Sequence, residues 1–258
     1  MMDVFAYDFG YSWPWTRGHL LVFILFALIA LVAWRFRWRR WTTILPVVLA
    51  AWALAGSFIV HHVMRFNRPQ ELPTAQFFTR GSGRVLDVGA GSGRSTVMVL
   101  LARPAARVTA LDIYSGYFGI ADNTPDRLRA NARVAGAEDR VTVQVGDMRD
   151  MPLPSGSLDA AVSVAAIDHL NAEGVRKALS EIARILKDDG EFLFITLNVD
   201  GWVRFAFPLP PGHGGYFTIA QNAERWRARL EAAGFEVVEQ GTRPATLYFL
   251  ARKRVAKE

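Results

Sequence analysis

The sequence predicts an α/β fold, a doubly wound sheet with helices on both faces, preceded by an apolar helical hairpin. Strand-like and helix-like runs alternate from residue 84 onward, and two apolar runs lie within the first sixty residues. Alternation of this kind is typical of a sheet covered by helices on both sides. Such sheets bind ligands at the carboxyl ends of their strands. With 258 residues, the chain is long enough for one such domain plus an attachment.

Residues 1–66 contain the two apolar runs, 15–34 and 41–60. Each is long enough, at about 30 Å as a helix, to match a bilayer core. Tryptophans flank both runs at the depth where indole rings prefer to lie: Trp15, Trp34, Trp38 and Trp41. No small-residue cleavage site precedes the basic cluster, so we expect a retained membrane anchor and not a signal peptide. A hairpin buried inside a soluble protein is the alternative.

A basic cluster separates the two apolar runs and accounts for much of the net charge of +6. It consists of Arg35, Arg37, Arg39 and Arg40. Its position favours contact with an anionic membrane surface, and a solvated basic face is the alternative. The positive-inside rule places this loop in the cytoplasm, yet two full spans would then put the rest of the chain outside. A shallow or re-entrant run, a hairpin embedded in one leaflet, or an outside arginine loop would each resolve the conflict.

Residues 67–258 form the predicted α/β domain. The strands are expected at 84–88, 107–112, 140–145, 158–164, 191–197, 235–239 and 246–251. The helices are expected at 93–102, 125–135, 172–187 and 220–233. Gly136, Gly190 and Gly234 stand where helices should end. Proline and glycine mark 198–219 as a long loop, which would cover an apolar ligand, rest on a membrane or simply pack on the domain.

A glycine-rich loop follows the first predicted strand in the segment RVLDVGAGSGRST, residues 84–96. Gly89, Gly91 and Gly93 let the backbone turn tightly and approach a ligand, which then faces the amide groups of the next helix. The spacing is G-x-G-x-G and not the G-x-G-x-x-G of dinucleotide sites. Asp87 would repel a pyrophosphate but suits an ammonium group. A nicotinamide oxidoreductase is therefore disfavoured.

Four motifs in order make residues 70–252 resemble the class I S-adenosylmethionine (SAM)-dependent methyltransferases. They are DVGAGSG, LDIY at 111–114, GDM at 146–148 and LDAAVSVAAIDHL at 158–170. The resemblance implies a Rossmann-like seven-stranded sheet in the order 3-2-1-4-5-7-6, with strand seven antiparallel. It also implies SAM as the cofactor, and no metal is expected. A cytoplasmic catalytic domain on a bacterial-type inner membrane is expected, because SAM is made and kept in the cytoplasm.

The resemblance assigns cofactor contacts to named positions. Asp87 and the loop residues Gly89, Ala90, Gly91 and Gly93 would hold the methionine part of SAM. Asp112 would accept hydrogen bonds from both ribose hydroxyls, since one carboxylate can accept both. The adenine side would be formed by Asp147, accepting from the amino group, and by Ile113 and Met148 on the ring faces. Ala165 is a further expected cofactor contact. The alternatives are ordinary turn glycines, a helix cap at Asp112 and a turn residue at Asp147.

The end of the fourth strand is the expected place for acceptor chemistry. Methyl transfer is an in-line displacement in which the enzyme aligns the nucleophile and can remove its proton. Histidine suits this work near neutral pH, so His169 is a candidate base. Asp168 would orient it, bind a substrate amine or act as base. Alternatively, His169 caps the next helix or packs under the adenine. Tyr114, Tyr117 and Phe118 would wall the site or belong to the core.

Taken together, these features predict a methyltransferase acting on a membrane-associated or amphipathic small molecule, such as a lipid headgroup, an amino lipid or a quinone. A soluble small-molecule acceptor and a non-catalytic SAM-binding membrane scaffold are the alternatives. The expected partners are the lipid bilayer and the acceptor. Nucleic acid is disfavoured, because no N-P-P-Y-type motif follows the fourth strand and the basic cluster lies by the apolar runs. The chain has no cysteine, which argues against arsenite methylation and excludes disulfides and cysteine-based zinc sites.

Overall fold

A seven-stranded sheet forms the centre of the computed structural model, which describes residues 6–66, 68–115, 120–208 and 223–255. Its strands are β1 (Ser82–Val88), β2 (Ala105–Asp112), β3 (Val141–Val145), β4 (Leu158–Val164), β5 (Leu186–Leu197), β6 (Phe235–Arg243) and β7 (Thr246–Lys253). Their order is β3-β2-β1-β4-β5-β7-β6, and β7 runs antiparallel to both β5 and β6. The predicted fold class, strand order and antiparallel strand seven are confirmed.

The central strand β4 shows why the sheet forms. Its sequence LDAAVSV is almost continuously apolar, and its first six residues are buried. It pairs in parallel with β1 on one side and β5 on the other. A strand covered by helices on both faces needs apolar side chains pointing both ways, which is what this run supplies. The carboxyl ends of β1 to β5 therefore share one edge of the sheet.

Within the described residues, the α-helices that connect the strands are α3 (Arg94–Ala102), α4 (Pro125–Val134), α5 (Ala172–Ile185), α6 (Gly201–Ala206) and α7 (Ala223–Ala232). Thr124 caps α4 through the amide of Arg127, and Asn171 caps α5 through the amide of Gly174. Gly136 and Gly234 follow the ends of α4 and α7 with positive φ, as predicted.

The prediction that Gly190 ends a helix is wrong. Helix α5 ends at Ile185, and β5 begins directly at Leu186, whose buried side chain and pairing with Leu158 stop the helix early. Gly190 lies inside the strand. The predicted loop at 198–219 also differs, because the short helix α6 forms within it; residues 209–219 lie outside the described part of the chain.

The N-terminal hairpin consists of α1 (Trp13–Arg35) and α2 (Arg40–Phe58), which continues as a π-helical turn (Ile59–Val63). Both helices are long and apolar enough to cross a membrane, a test that a core helix or a signal sequence can also pass. Only 17% of the apolar window of α1 and 33% of that of α2 are buried. Most of this apolar surface is therefore uncovered in the described structure.

One end of the hairpin packs on the rest of the chain, and the basic cluster lies at the other end. The Nε2 atom of His19 is 2.7 Å from the carbonyl oxygen of Ala206, and the indole nitrogen of Trp52 donates to the carbonyl of Phe205. Residues 6–12 precede α1, and among them Tyr7 packs with Val97 of α3. The predicted domain boundary at residue 66 stays a prediction. In the structure, residues before this boundary pack on the α/β domain that follows it.

Candidate cofactor and acceptor site

The loop after β1 is shaped by three glycines in the left-handed region. The φ angles of Gly89, Gly91 and Gly93 are +75°, +53° and +88°. A Cβ atom at Gly89 would lie 2.4 Å from Cβ of Ala166, and one at Gly93 would lie 2.8 Å from Cγ of Leu128. Side chains at these positions would meet both backbone strain and a clash. The loop therefore presents bare backbone at the edge of the sheet, the surface that a closely bound ligand requires.

Asp87 lies beneath this loop and is fully buried. Its two carboxylate oxygens accept hydrogen bonds from the hydroxyl of Ser95 at 2.9 and 2.7 Å, and one of them also accepts from Thr96 at 2.5 Å. Burial raises the pKa of Asp87 to about 6, although the two hydroxyls oppose the shift. Asp87 thus fixes the start of α3 under the loop, and its contact with a ligand's ammonium group stays a prediction.

Asp112 closes the loop from the end of β2. One carboxylate oxygen accepts from the amide of Gly91 at 2.9 Å, and the other accepts from the amide of Tyr114 at 2.7 Å and the side chain of Asn123 at 3.3 Å. The helix that follows is capped by Thr124 and not by Asp112. A carboxylate offers about four acceptor positions, and these three bonds leave Asp112 capacity for one further donor, such as a ribose hydroxyl; the predicted bonds to both hydroxyls stay a prediction.

The expected adenine side also lies at this edge. Ile113 is 46% exposed, and the methyl group of Met148 lies 3.1 Å from where a Cβ of Gly89 would be. The guanidinium of Arg149 donates to both oxygens of Asp147, at 2.9 and 2.5 Å, and this hydrogen bonding lowers the pKa of that carboxyl. Asp147 is therefore an ionised, oriented acceptor, and its bond to an adenine amino group stays a prediction.

Tyr114 gives a separate indication that a ligand belongs here. Its hydroxyl is buried, and it has no hydrogen-bond partner among the described residues. Burial, with the nearby Asp112 carboxylate, raises the pKa of this phenol. A buried hydroxyl without a partner is costly. The glycine cradle, the acceptors Asp112 and Asp147 and this hydroxyl fit SAM. The predicted neighbours Tyr117 and Phe118 lie outside the described residues.

The acceptor candidates lie on a 3-10 turn (Ile167–His169) directly after β4. Asp168 is 5% exposed and accepts a short hydrogen bond from the hydroxyl of Thr196 near the end of β5. His169 is exposed to solvent. The two residues therefore occupy different environments: Asp168 joins β4 to β5, whereas His169 faces outward. Sequence reasoning missed Thr196, whose position near the end of a predicted strand was the available signal.

The turn after Val164 brings the last predicted cofactor contact to the same edge. Ala165 is exposed, has a φ of +46° and donates its amide to the carbonyl of Ile195 at 2.9 Å. Ala166, its neighbour, is the residue that a side chain at Gly89 would strike. Ala165 thus lies between the glycine loop and the 3-10 turn, and its contact with the cofactor stays a prediction.

An apolar groove of about 500 Å³ runs between α2 and α6. It is lined by Ala55, Phe58, Ile59, Gly201, Trp202 and Phe205. Asp200 fixes α6 in place, because one oxygen accepts from the amides of Trp202 and Val203 while the other accepts from the amide of Ala245. The groove thus begins within a few residues of the end of β5. The 198–219 loop also carries His213, Tyr216 and Phe217, which lie outside the described residues.

Comparison with known proteins finds a methyltransferase domain within the chain. The model of the methyltransferase domain family matches residues 85–190. A malonyl-[acyl-carrier protein] O-methyltransferase from Paenibacillus sp. is 24% identical over 74% of this chain and 72% of its own length. A demethylmenaquinone methyltransferase from Symbiobacterium thermophilum is 27% identical over 52% of this chain and 51% of its own length. A SAM-dependent methyltransferase structure from Aquifex aeolicus has a TM-score of 0.51 at 18% identity, covering 66% of this chain and 81% of that one.

The matched region contains the glycine loop, Asp112, Asp147 and the turn after β4. Several curated relatives are matched over only 38–59% of their length, and the structural likeness shows the fold alone. The motifs, the confirmed strand order, the family match and the relatives nevertheless agree. Residues 85–190 are therefore a methyltransferase domain, and the chain is similar to SAM-dependent methyltransferases in its motifs and its strand order.

Proposed function

We propose that the chain transfers a methyl group from SAM to a membrane-resident small molecule with an apolar chain. The observation that carries the proposal is the apolar groove between α2 and α6. One wall belongs to the apolar hairpin, and the other belongs to a helix anchored at the end of β5. An acceptor could therefore lie with its chain against apolar side chains while its head group reaches the sheet edge.

The hairpin supports a bilayer as the source of this acceptor. Its exposed large side chains include Leu21, Leu25 and Leu28 on α1 and Leu45 and Val48 on α2. Removing such surface from water is worth about 25 cal/mol per Å². A bilayer covers this surface, and it also concentrates an apolar acceptor near the groove.

The groove connects to the acceptor edge through α6. Trp202 and Phe205 on α6 are both about half exposed. Asp200 precedes α6, and Thr196, four residues earlier, donates to Asp168. A methyl acceptor lying along α6 would therefore reach the 3-10 turn that carries His169.

The chemistry assigned to the chain's own residues is binding, orientation and proton removal. When bound, SAM supplies an electrophilic methyl carbon, whose bond to sulfur breaks as the acceptor atom attacks it in line. Asp112 and Asp147 would hold the two ends of the nucleoside, and Asp168 would fix the turn after β4. His169 would take the proton that the acceptor atom loses. No metal is assigned a role in this step.

The relatives support the acceptor class in part. One is named for demethylmenaquinone, which suits an apolar groove, whereas another is named for malonyl-[acyl-carrier protein], a soluble acceptor. A soluble acceptor is therefore the second candidate. Neither relative's acceptor is assigned to this chain, and the two candidates make different predictions for lipid extracts.

Lipid mass spectrometry tests the proposal. Cells producing the chain should contain a lipid or quinone species heavier by one or more methylene groups than in cells without it. Gly89→Ala should abolish the new species, whereas Gly156→Ala should not: its φ is +59° and no atom lies within 4 Å of an added Cβ. New methylation confined to the aqueous extract would contradict the membrane acceptor and favour the soluble one.

We also propose that the α/β domain lies on the cytoplasmic side of the membrane, where SAM is kept. The basic cluster lies at the end of the hairpin away from α6. If the hairpin spans the membrane, this cluster lies on the side opposite to the α/β domain; if the hairpin is embedded in one leaflet, the cluster lies on the same side. The chain has no cysteine, so single introduced cysteines are unique labels. Glu231→Cys, on α7, should be protected from an impermeant thiol reagent in intact cells. Labelling of Arg37→Cys would indicate a spanning hairpin, and protection would indicate one embedded in the inner leaflet.

A further inference from the structure

We propose that the two segments flanking the hairpin hold the glycine loop in its SAM-binding shape, so that the hairpin's base is part of the cofactor site. The first segment is residues 6–12, called here the strap. The second is the exit of α2, represented here by residues 64–66 and by Arg68. The inference concerns cofactor affinity and does not depend on which acceptor is methylated.

Arg94 connects the exit of α2 to the glycine loop. It is the first residue of α3 and follows Gly93 directly. Its Nη2 donates to the carbonyls of Met64 and Arg65, both at 2.9 Å, and its Nε donates to the carbonyl of Arg68 at 3.0 Å. One guanidinium thus satisfies three carbonyls where the chain leaves the hairpin. A lysine could not make the same set of bonds, because its ammonium group lacks the planar, fixed arrangement of donors of a guanidinium.

Arg94 also reaches the strap. Its Nη1 lies 3.4 Å from the hydroxyl of Tyr11, and its guanidinium lies over the rings of Tyr11 and Phe66, at 5.7 and 5.9 Å. Those two rings stack on each other at 4.9 Å. Arg94 therefore contacts the residues before α1 and the residues after α2 at the same place. Both ends of the hairpin meet beside the loop.

The strap is fixed to the domain by backbone contacts. The amide of Asp8 donates to the side-chain oxygen of Asn131, whose Nδ2 donates both to the carbonyl of Asp8 and to that of Ser92 inside the loop. The carbonyl of Gly10 accepts from the amide of Ala121 at 2.6 Å. Asn131 thus joins the strap to the glycine loop through one side chain.

The strap continues to the residues that face the cofactor. Tyr11 forms an antiparallel bridge with Ile120, and Cδ1 of Ile120 lies 3.0 Å from where a Cβ of Gly91 would be. Three residues on, Asn123 donates to Asp112, which itself accepts from Gly91. The strap therefore orders the segment at 120–123, and that segment orders both the loop and the proposed ribose acceptor.

The predicted effect is on SAM affinity more than on stability. Without the strap and Arg94, the loop must become ordered when SAM binds. The free-energy cost of this ordering lowers the affinity for SAM. Losing charge-assisted bonds of this kind corresponds to about a tenfold change in affinity. Residues that merely stabilise the fold would lower the melting temperature without changing the affinity of the folded fraction.

A matched pair of arginine substitutions tests the proposal in the full chain in detergent micelles. Arg94→Gln should weaken SAM binding by about tenfold in calorimetry, with Arg94→Lys intermediate. Arg103→Gln is the control, because Arg103 lies at the other end of α3 and donates to the carbonyls of Ala75, Phe77 and Phe78. It should lower the melting temperature and leave the SAM affinity unchanged. Equal affinities for Arg94→Gln and the parent chain would overturn the proposal.

A second pair of variants keeps the test independent of Arg94. Gly10→Ala would place a Cβ 2.7 Å from the carbonyl oxygen of Ala121 at a φ of +67°. Gly136→Ala carries the same strain, at a φ of +65°, with no atom within 4 Å. Gly10→Ala should weaken SAM binding and speed hydrogen exchange at residues 89–93, and Gly136→Ala should do neither. Identical exchange at these amides in both variants would refute a positioning role for the strap.

Discussion

The two halves of the sheet edge are built in different ways. On the cofactor half, Gly89, Gly91 and Gly93 shape one short loop. Asp112 closes this loop by accepting a hydrogen bond from the backbone amide of Gly91. On the acceptor half, the groove depends on contacts between distant parts of the chain, such as that of Trp52 with Phe205. The first arrangement is encoded in local backbone conformation. The second exists only once the hairpin and the domain have packed together.

The two halves should therefore differ in the substitutions that they tolerate. A local loop fails through one substitution that its backbone cannot accommodate. A packed surface loses affinity gradually as apolar contacts are removed. The predictions below test that separation, beginning with the largest expected effect.

Gly89→Ala should lower SAM affinity by up to about a thousandfold. The left-handed φ and the clash with Ala166 each cost about 2 kcal/mol, and relief requires the loop to move. Calorimetry with SAM measures this, with Gly156→Ala as the strained but uncrowded control. Wild-type affinity in Gly89→Ala would show that the loop does not approach the ligand.

Asp87→Asn should change the pH dependence of stability. The folded pKa of about 6 lies above the ordinary value of 3.8, so the native state holds a proton that the unfolded state has released. This carboxyl therefore stabilises the fold less as pH rises from about 4 to about 6, by at most roughly 3 kcal/mol. Thermal unfolding of both proteins across this range should show the decline only in the parent. Parallel curves would contradict the buried, raised-pKa carboxyl.

His169→Gln should lower kcat by about a hundredfold while leaving SAM affinity unchanged, because proton removal contributes about that much. Thr196→Val is the comparison, since it removes the hydroxyl that bonds Asp168 without touching His169. Single-turnover kinetics with saturating SAM would separate the loss of proton removal by His169 from the loss of the hydrogen bond to Asp168. A His169→Gln variant with the parent kcat would remove His169 from the chemistry.

Phe205→Ser should raise KM for an apolar acceptor by about tenfold, with kcat and SAM affinity nearly unchanged. A half-exposed side chain of this size contributes about 1–2 kcal/mol of burial when a ligand covers it. Val134→Ser, a comparably exposed apolar side chain on α4 away from the groove, should leave KM unchanged. Equal KM values for the two variants would show that the groove does not hold the acceptor.

The sequence predicted the cofactor half better than the acceptor half for a physical reason. Glycines at fixed spacing and a carboxylate at a strand end dictate local geometry, and the structure places Asp112 and Asp147 on one edge with Gly89. Asp87 shows what local reasoning leaves out: the sequence indicates a carboxylate before the loop but not its bonds to Ser95 and Thr96 in the first turn of α3.

The acceptor half could not be predicted, because its contacts join residues far apart in the chain. Nothing in the local sequence around His19 or Trp52 indicates that both reach the carbonyls of α6. The strap is a similar case, since residues 6–12 read as a lead-in to an apolar helix but pack beside the glycine loop. The early end of α5, which made the interpretation of Gly190 wrong, also depends on pairing between distant strands.

Methyl transfer in reconstituted vesicles tests the central claim most directly. The full chain would be placed in vesicles prepared from a bacterial membrane extract and supplied with methyl-labelled SAM. The account predicts label in the organic-extractable fraction, lost with Gly89→Ala and reduced with Phe205→Ser. Label confined to the aqueous fraction, or SAM binding without any transfer, would contradict it.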